Sequence, residues 1–236
     1  MADTIIVERE SIMGEYYNWV NVDKKEYICP GDFGYGSKSM ESSAKDGVVM
    51  RALREMLFCE WKGDRILWVG DECDIPENTA PELFDLLRKH SEELGYYNNI
   101  FDTIYESYTN VSCLFKDAEE CVRREIMYYI EEWREGNSDV INEYGIWPDN
   151  PYEGLFKREG RDFKYTVNYT KNICYCFDQT KVLYADGSVC SYNDPLSQLM
   201  GYGSVLEPGG WLGDIIGVTD EIDDSIRILD TITLAW

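Results

Sequence analysis

Histidine is the residue that this 236-residue chain most nearly lacks, because it contains a single one, His90. A zinc site with two histidines is therefore excluded. A Ser-His-Asp or Cys-His mechanism would have to use His90 itself. His90 falls on the apolar stripe of a predicted helix, which favours a core position over a catalytic one. The common hydrolase classes are thus disfavoured, and we expect no catalytic set.

Long apolar runs are also missing. No stretch approaches the roughly 20 apolar residues that cross a bilayer. The opening MADTIIVERE carries charge where a signal peptide would have an apolar core. We therefore expect a cytoplasmic protein, with residues 1–12 as a peripheral leader.

The chain has eight cysteines but no CxxC pair. Cys174 and Cys176 share one face of a predicted strand, and Cys190 follows across the next hairpin. Zinc needs four ligands and usually a tighter local spacing. Small, reduced core residues are the favoured interpretation, and a thiolate cluster of these three remains open.

Basic residues are scarce, since 22 Lys and Arg face 45 Asp and Glu, for a net charge of −23. Phosphate backbones and anionic membranes would repel such a chain, so neither is an expected partner. The acids are uneven: residues 61–120 hold 14 acids and 5 bases, and residues 181–236 hold 9 acids and 2 bases. This concentration favours a basic partner, although solubility alone is an alternative.

The hydrophobic pattern predicts an α+β fold with its helices mainly in the N-terminal half and an antiparallel β-meander in the C-terminal half. Two short strands surround DKK at residues 23–25, and an apolar helix follows near residues 48–58. Further helices are predicted after Thr79 and from about Ser112 to Glu135. Asp186-Gly187 indicates a type I′ hairpin. We expect one domain over residues 13–236, with a helical lobe at about 40–140 and a β-rich lobe at about 141–236.

The segment DRILWVGDECDIPENT places a buried strand directly before four acids, Asp71, Glu72, Asp74 and Glu77. Carboxylates at a strand end can hold Mg²⁺ or act as an acid–base pair. No basic residue lies beside them to grip a phosphate, and the IPENT tail is explained by the cap of the next helix. A solvated acidic loop is therefore favoured over a metal site, and no cofactor is expected.

The loop CPGDFGYGSKS has the order strand, glycine loop, lysine and helix, which is the outline of a phosphate-binding loop. The adjacent Gly-Lys of a P-loop is missing, however, because Ser37 separates Gly36 from Lys38. Asp32 within the loop would also repel phosphate. These two departures make phosphate binding the less favoured interpretation. The alternative function that it supports is a nucleotide- or phosphoester-processing enzyme that uses residues 31–38 with Lys38 and a carboxylate metal site at 71–74.

Aromatic residues are abundant, with 7 Trp, 18 Tyr and 8 Phe. Several stand beside turn residues, as in GEYYNWVN, NEYGIWPDNPYEG and MGYGSVLEPGGWLGD. Rings next to carboxylates suit a Lys- and Arg-rich partner through ion pairs and cation–π contacts. The alternative is that these rings pack loops onto the core.

The favoured function is an acidic binding protein that docks on the basic, nucleic-acid-binding surface of a partner such as a nuclease or defence effector. It would act as an immunity protein or as an anti-CRISPR-like phage anti-defence inhibitor, with carboxylates in place of phosphates. The predicted partner-binding residues are Asp71, Glu72, Asp74, Glu77, Trp147, Asp149, Trp211, Asp214, Asp220, Glu221, Asp223 and Asp224.

Overall fold

A computed structural model describes residues 15–72, 81–95, 100–124, 158–203 and 209–235. The strands are β1 (Tyr17–Asn21), β2 (Glu26–Ile28), β3 (Ile66–Gly70), β4 (Thr109–Asn110), β5 (Tyr165–Asn168), β6 (Ile173–Tyr175), β7 (Lys181–Leu183), β8 (Gly201–Tyr202), β9 (Ile216–Thr219), β10 (Arg227–Ile228) and β11 (Thr231–Thr233). The helices are α1 (Val48–Phe58), α2 (Pro81–Leu94), α3 (Ile100–Ser107), α4 (residues 116–124) and α5 (Leu196–Leu199). Short 3-10 helices cover Pro30–Phe33, Glu41–Ser43 and Ser112–Leu114.

A five-stranded mixed sheet in the order β4-β2-β1-β3-β8 forms the centre of the fold. The β1–β2 hairpin turns at residues 23–25, as the sequence predicts. The Asn21 side-chain oxygen accepts hydrogen bonds from the amides of Asp23 and Lys24, which stabilises the turn. All five residues of β1 and of β3 are buried, so both faces of this sheet are covered.

Helices α2 and α3 cover one face of the central sheet. Their apolar side chains share a core cluster with alternate residues of β1 and β3, such as Val20 and Leu67. Helix α3 contributes Ile100, Phe101 and Ile104 to this cluster. Its opposite face, which carries Asp102, Tyr105 and Glu106, is exposed.

The other face of the central sheet packs into the largest core cluster. Helix α1 contributes to this cluster the same stripe that the sequence predicts, including Leu53 and Met56. Trp19 of β1 and Val218 of β9 also belong to it. One hydrophobic core therefore joins side chains from the first and the last parts of the described chain.

The C-terminal strands form a four-stranded sheet, β10-β6-β5-β9, and a two-stranded pair, β11-β7. Strand β5 pairs antiparallel with β6 and with β9, as a meander would. Strands β10 and β11, by contrast, pair parallel with β6 and β7. The fold is thus a mixture of helices and mixed sheets, and these pairings do not establish the predicted antiparallel meander.

The turn at Asp186-Gly187 differs from the predicted type I′ geometry. Gly187 has a φ of 83°, but Asp186 is not among the residues with positive φ, so only one of the two required left-handed positions is present. The Gly187 amide donates to the Tyr184 carbonyl over 2.9 Å, and the Tyr184 amide donates to the Ser188 carbonyl over 2.8 Å. These bonds define a type I turn followed by a glycine bulge.

The predicted helix from Ser112 is also displaced, because Ser112–Leu114 is a 3-10 turn and regular helix begins at residue 116. The Thr79 cap, the end of this helix at Glu135, the leader at 1–12 and the lobe boundary near residue 140 lie outside the described residues. Within the described ranges, no helix has the length and apolarity needed to cross a membrane.

Candidate functional site

The predicted site residues Asp74, Glu77, Trp147 and Asp149 lie outside the described part of the chain. The remaining eight fall in three places. Asp71 and Glu72 follow β3, Trp211 and Asp214 precede β9, and Asp220, Glu221, Asp223 and Asp224 follow β9.

Asp71 is fixed at the surface by the start of β1. Its Oδ1 accepts a hydrogen bond from the Tyr16 amide over 2.9 Å, and its own amide donates to the Tyr16 carbonyl over 2.9 Å. Glu72, the next residue, is exposed. The end of β3 therefore presents a carboxylate in a defined position beside a tyrosine that is 51% exposed.

A second exposed tyrosine belongs to the same end of the central sheet. Tyr105 of α3 is also 51% exposed, and its hydroxyl accepts a hydrogen bond from Asn18 Nδ2 of β1 over 3.1 Å. Burial of the hydroxyl raises the pKa of Tyr105, and the nearby carboxylates of Asp32 and Asp71 raise that pKa further. We call Tyr16, Asp71, Glu72 and Tyr105 the Asp71 patch.

Sequence reasoning places Asp71 and Glu72 in the site but misses Asn18 and Tyr105. The segment GEYYNWVN does draw attention to Tyr16. For α3 the available signal is the spacing of Ile100, Phe101 and Ile104, which predicts that Asp102, Tyr105 and Glu106 share the outer face. Asp102 and Glu106 are thus two further exposed carboxylates on the helix that carries Tyr105.

The second acidic surface is the 220–224 loop, which follows β9. Asp220, Glu221, Asp223 and Asp224 are all exposed. Asp223 Oδ1 accepts a hydrogen bond from the Ser225 amide over 2.8 Å, and this bond lowers the pKa of the carboxyl. Among the ion pairs of the described residues, none involves these four carboxylates. The loop thus presents four exposed carboxylates outside the ion pairs of the described residues.

Trp211 and Asp214 do not present a binding surface. Trp211 is 4% exposed, and its ring centroid lies 5.8 Å from that of buried Tyr175. Asp214 accepts hydrogen bonds from Lys171 Nζ over 2.6 Å and from Asn168 Nδ2 over 2.7 Å. The Trp211 ring therefore packs in the core, and the Asp214 carboxylate is bonded to residues at the β5–β6 turn. Neither side chain is available to a partner.

Three backbone amides of the glycine loop are used in local turns: Asp32 donates to the Cys29 carbonyl, Gly34 to Gly31 and Tyr35 to Pro30. The 3-10 helix Glu41–Ser43, and not an α-helix, follows Lys38. These three amides are therefore not available to a phosphate, and the loop does not lead directly into the N-terminus of an α-helix.

The metal and thiolate alternatives also lack support in the described residues. No group of three or more His, Cys, Asp or Glu side chains converges there as a metal site. Cys174 and Cys176 pack with Val167 on one face of β6, whereas Cys190 belongs to the largest core cluster, with Tyr175 from the opposite face. The three thiols therefore do not form one cluster.

The only histidine of the chain, His90, lies in the protein interior. It is buried, and its Nδ1 lies 2.8 Å from the Tyr108 hydroxyl. Burial lowers the pKa of His90. The side chain thus packs α2 against Tyr108.

Comparison of the chain with models of protein families, with curated proteins and with solved structures gives no match.

Proposed function

We propose that this protein binds a basic protein surface through the Asp71 patch and the 220–224 loop. As an inhibitor, it would occupy the nucleic-acid-binding surface of a nuclease or defence effector, in the manner of an immunity protein or a phage anti-defence protein. The observation that carries this proposal is the pairing of two half-exposed tyrosines with a positionally fixed carboxylate at Asp71.

Tyrosine and carboxylate together suit lysine and arginine side chains. The rings supply a large contact area and cation–π faces, and the acids supply ion pairs and long-range attraction. Electrostatic attraction of this kind accelerates association and is screened by salt. The proposal places the protein in the cytoplasm and retains a helical lobe at about 40–140 and a β-rich lobe at about 141–236, the latter carrying the 220–224 loop.

The test uses three variants that each remove two negative charges. The patch variant is Asp71→Asn with Glu72→Gln, and the loop variant is Asp223→Asn with Asp224→Asn. The matched control, Glu92→Gln with Glu120→Gln, changes exposed acids elsewhere. Asparagine at 71 and at 223 keeps the side-chain oxygen that accepts the local backbone hydrogen bond.

Each protein is immobilised and exposed to an extract of the organism that carries it, and the retained proteins are quantified by mass spectrometry. We expect a basic protein that the native and control baits retain at low salt and that the patch and loop variants lose. Retention of the same proteins by all four baits would contradict the proposal, because net charge alone would then explain capture.

The alternative phosphoester-processing function has a separate test. A ligand that binds only the folded state raises the midpoint of thermal unfolding. Since three loop amides are bonded to loop carbonyls and Asp32 lies within the loop, we expect no shift with Mg²⁺, Mn²⁺ or nucleotides. A concentration-dependent shift that Lys38→Ala abolishes would favour the enzyme instead.

A further inference from the structure

A cleft of about 490 Å³ lies between the glycine loop and the hairpin that follows β7. Three tyrosines line it, Tyr35 from the glycine loop and Tyr184 and Tyr192 from the two arms of the hairpin. Glu41, Met40 and Asn193 complete the lining together with loop glycines. This cleft takes no part in the proposed binding of a basic protein.

Hydrogen bonds within the hairpin hold the Tyr184 ring in place. The Tyr184 hydroxyl donates to Asn193 Oδ1 over 3.3 Å, and Asn193 Nδ2 donates to the Met40 carbonyl over 2.8 Å. Asn193 is buried. Through these two hydrogen bonds it links the hairpin to the glycine-loop segment on the opposite wall of the cleft. Tyr192 is 58% exposed and is anchored by its carbonyl, which accepts from the Lys45 amide over 2.9 Å. The walls are therefore preorganised, and one ring remains accessible.

Glu41 adds a negative charge that lacks a cation. Its carboxylate accepts a long hydrogen bond of 3.4 Å from the Lys38 amide, and no ion pair of the described residues includes it. A Cβ at Gly36 would collide with this carboxylate. The glycine therefore leaves the space into which Glu41 turns beside the rings.

Lysine 45 does not fill the cleft. It lines the adjoining hollow with Tyr35 and Tyr192, but its ammonium lies 5.6 Å from the centroid of the Phe177 ring. The lysine is thus already paired with a ring outside the cleft.

We propose that this cleft binds a small organic cation with an alkylated ammonium head. Tyrosine rings attract such a group through the ring quadrupole, and its weakly hydrated methyl groups lose little on leaving water. Glu41 supplies the opposite charge at the rim. A phosphate or carboxylate ligand would meet repulsion from Glu41 and from the net charge of −23. A metal ion would find one carboxylate where it needs several oxygens.

The probe is tetramethylammonium chloride, titrated by calorimetry and by ligand-observed NMR at constant ionic strength. Its neutral counterpart is tert-butyl alcohol, which has a similar size and no charge. We expect saturable binding of the cation with a dissociation constant on the order of 1 mM, and no saturation with the alcohol. Equal binding of the two probes, or no saturation by the cation, would overturn the assignment.

Two variants locate the bound cation. Tyr192→Leu removes an exposed ring, and Glu41→Gln removes the charge; each should weaken binding about five-fold. Tyr192→Phe keeps the ring and should bind as the native protein does. The matched control Tyr105→Leu alters an exposed tyrosine of the Asp71 patch and should leave binding unchanged. Unchanged binding in Tyr192→Leu, or an equal loss in Tyr105→Leu, would contradict this location.

Discussion

At the scale of single residues, two oppositely charged side chains, Arg54 and Asp194, are buried together. Arg54 is 4% exposed and Asp194 is fully buried. The two side chains form an ion pair, and Asp194 also accepts a hydrogen bond from the Tyr175 hydroxyl. The Arg54 guanidinium lies 5.4 Å from the centroid of the Phe177 ring. The pair joins α1 to the segment before α5, 140 residues later.

Removal of one partner leaves the other charge buried and unpaired. We therefore expect Arg54→Met to lower the free energy of unfolding by about 3–5 kcal/mol, measured by urea denaturation. The control is Lys116→Met, which breaks the exposed pair with Glu159 and should leave stability unchanged within error. Equal losses of unfolding free energy in the two variants would show that the buried pair stabilises the fold no more than the exposed pair does.

His90 gives the protein a pH dependence with a defined sign. Burial lowers its pKa in the folded state, so the unfolded chain binds a proton more readily. Stability is complete above the unfolded value near 6.5 and falls as the pH drops below it. We expect the free energy of unfolding to decrease between about pH 7.5 and pH 5.5 and to decrease less in His90→Gln.

The comparison with His90→Gln is needed because Asp32 acts in the opposite direction. Burial raises the pKa of Asp32, so the folded state retains its proton more readily and gains stability as the pH falls. The variant removes only the histidine contribution. An unchanged pH dependence would mean that His90 is protonated equally in both states.

Tyr105 is the residue of the Asp71 patch whose truncation should weaken partner binding. Tyrosine is enriched among the minority of interface residues whose truncation costs more than about 1 kcal/mol, and such residues lie near the centre of the binding surface. We expect Tyr105→Ala to weaken partner binding about ten-fold in a titration with the captured protein, without loss of the folded structure. The control is Tyr169→Ala, which removes a tyrosine that is 39% exposed at another site. Equal effects of the two substitutions would remove Tyr105 from the interface.

At the scale of elements, the turn after residue 208 closes against α5. The Gly209 amide donates to the Gly201 carbonyl, and the Trp211 amide donates to the Leu199 carbonyl. A Cβ at Gly209 would collide with the carbonyl oxygens of Gln198 and Leu199, whereas a Cβ at Gly210 meets nothing within 4 Å. The two neighbouring glycines therefore differ in the space around them.

We expect Gly209→Ala to lower the free energy of unfolding by about 1–3 kcal/mol, because backbone atoms must move to admit the methyl group. Gly210→Ala should be neutral or stabilising by about 0.5 kcal/mol, since it only restricts the unfolded chain. Denaturant melts of the two variants measure the difference. Equal stabilities would show that the turn adjusts freely.

Elements with a local signal could be predicted from the sequence. The β1–β2 hairpin follows from alternation around DKK, and α1 follows from its stripe of buried residues. Helix α3 has a weaker signal, because only three of its apolar residues, Ile100, Phe101 and Ile104, have helical spacing. The parallel pairings of β10 with β6 and of β11 with β7 depend on partners about 50 residues apart, which local patterns do not specify.

The candidate site divides in the same way. Asp71, Glu72 and the 220–224 loop stand out as acid runs next to strands. Tyr105 joins the patch through Asn18, which lies 87 residues away in the chain. The glycines before Trp211 predict a surface position, but its ring packs against Tyr175 instead.

At the scale of the whole molecule, the net charge of −23 makes stability depend on salt. Like charges on a compact surface repel each other, and dissolved ions screen that repulsion. We expect the midpoint of urea unfolding to rise between low and physiological ionic strength. A falling midpoint would mean that the ion pairs of the fold outweigh the excess of acids.

The central claim is that the Asp71 patch and the 220–224 loop meet a positively charged protein. The most direct measurement is the association rate with the captured partner at several salt concentrations, by stopped flow. We predict that the patch and loop variants associate more slowly than the native protein and that their rates depend less steeply on salt, while the matched control behaves as the native protein does. Equal rates and equal salt dependence in all four proteins would contradict the claim.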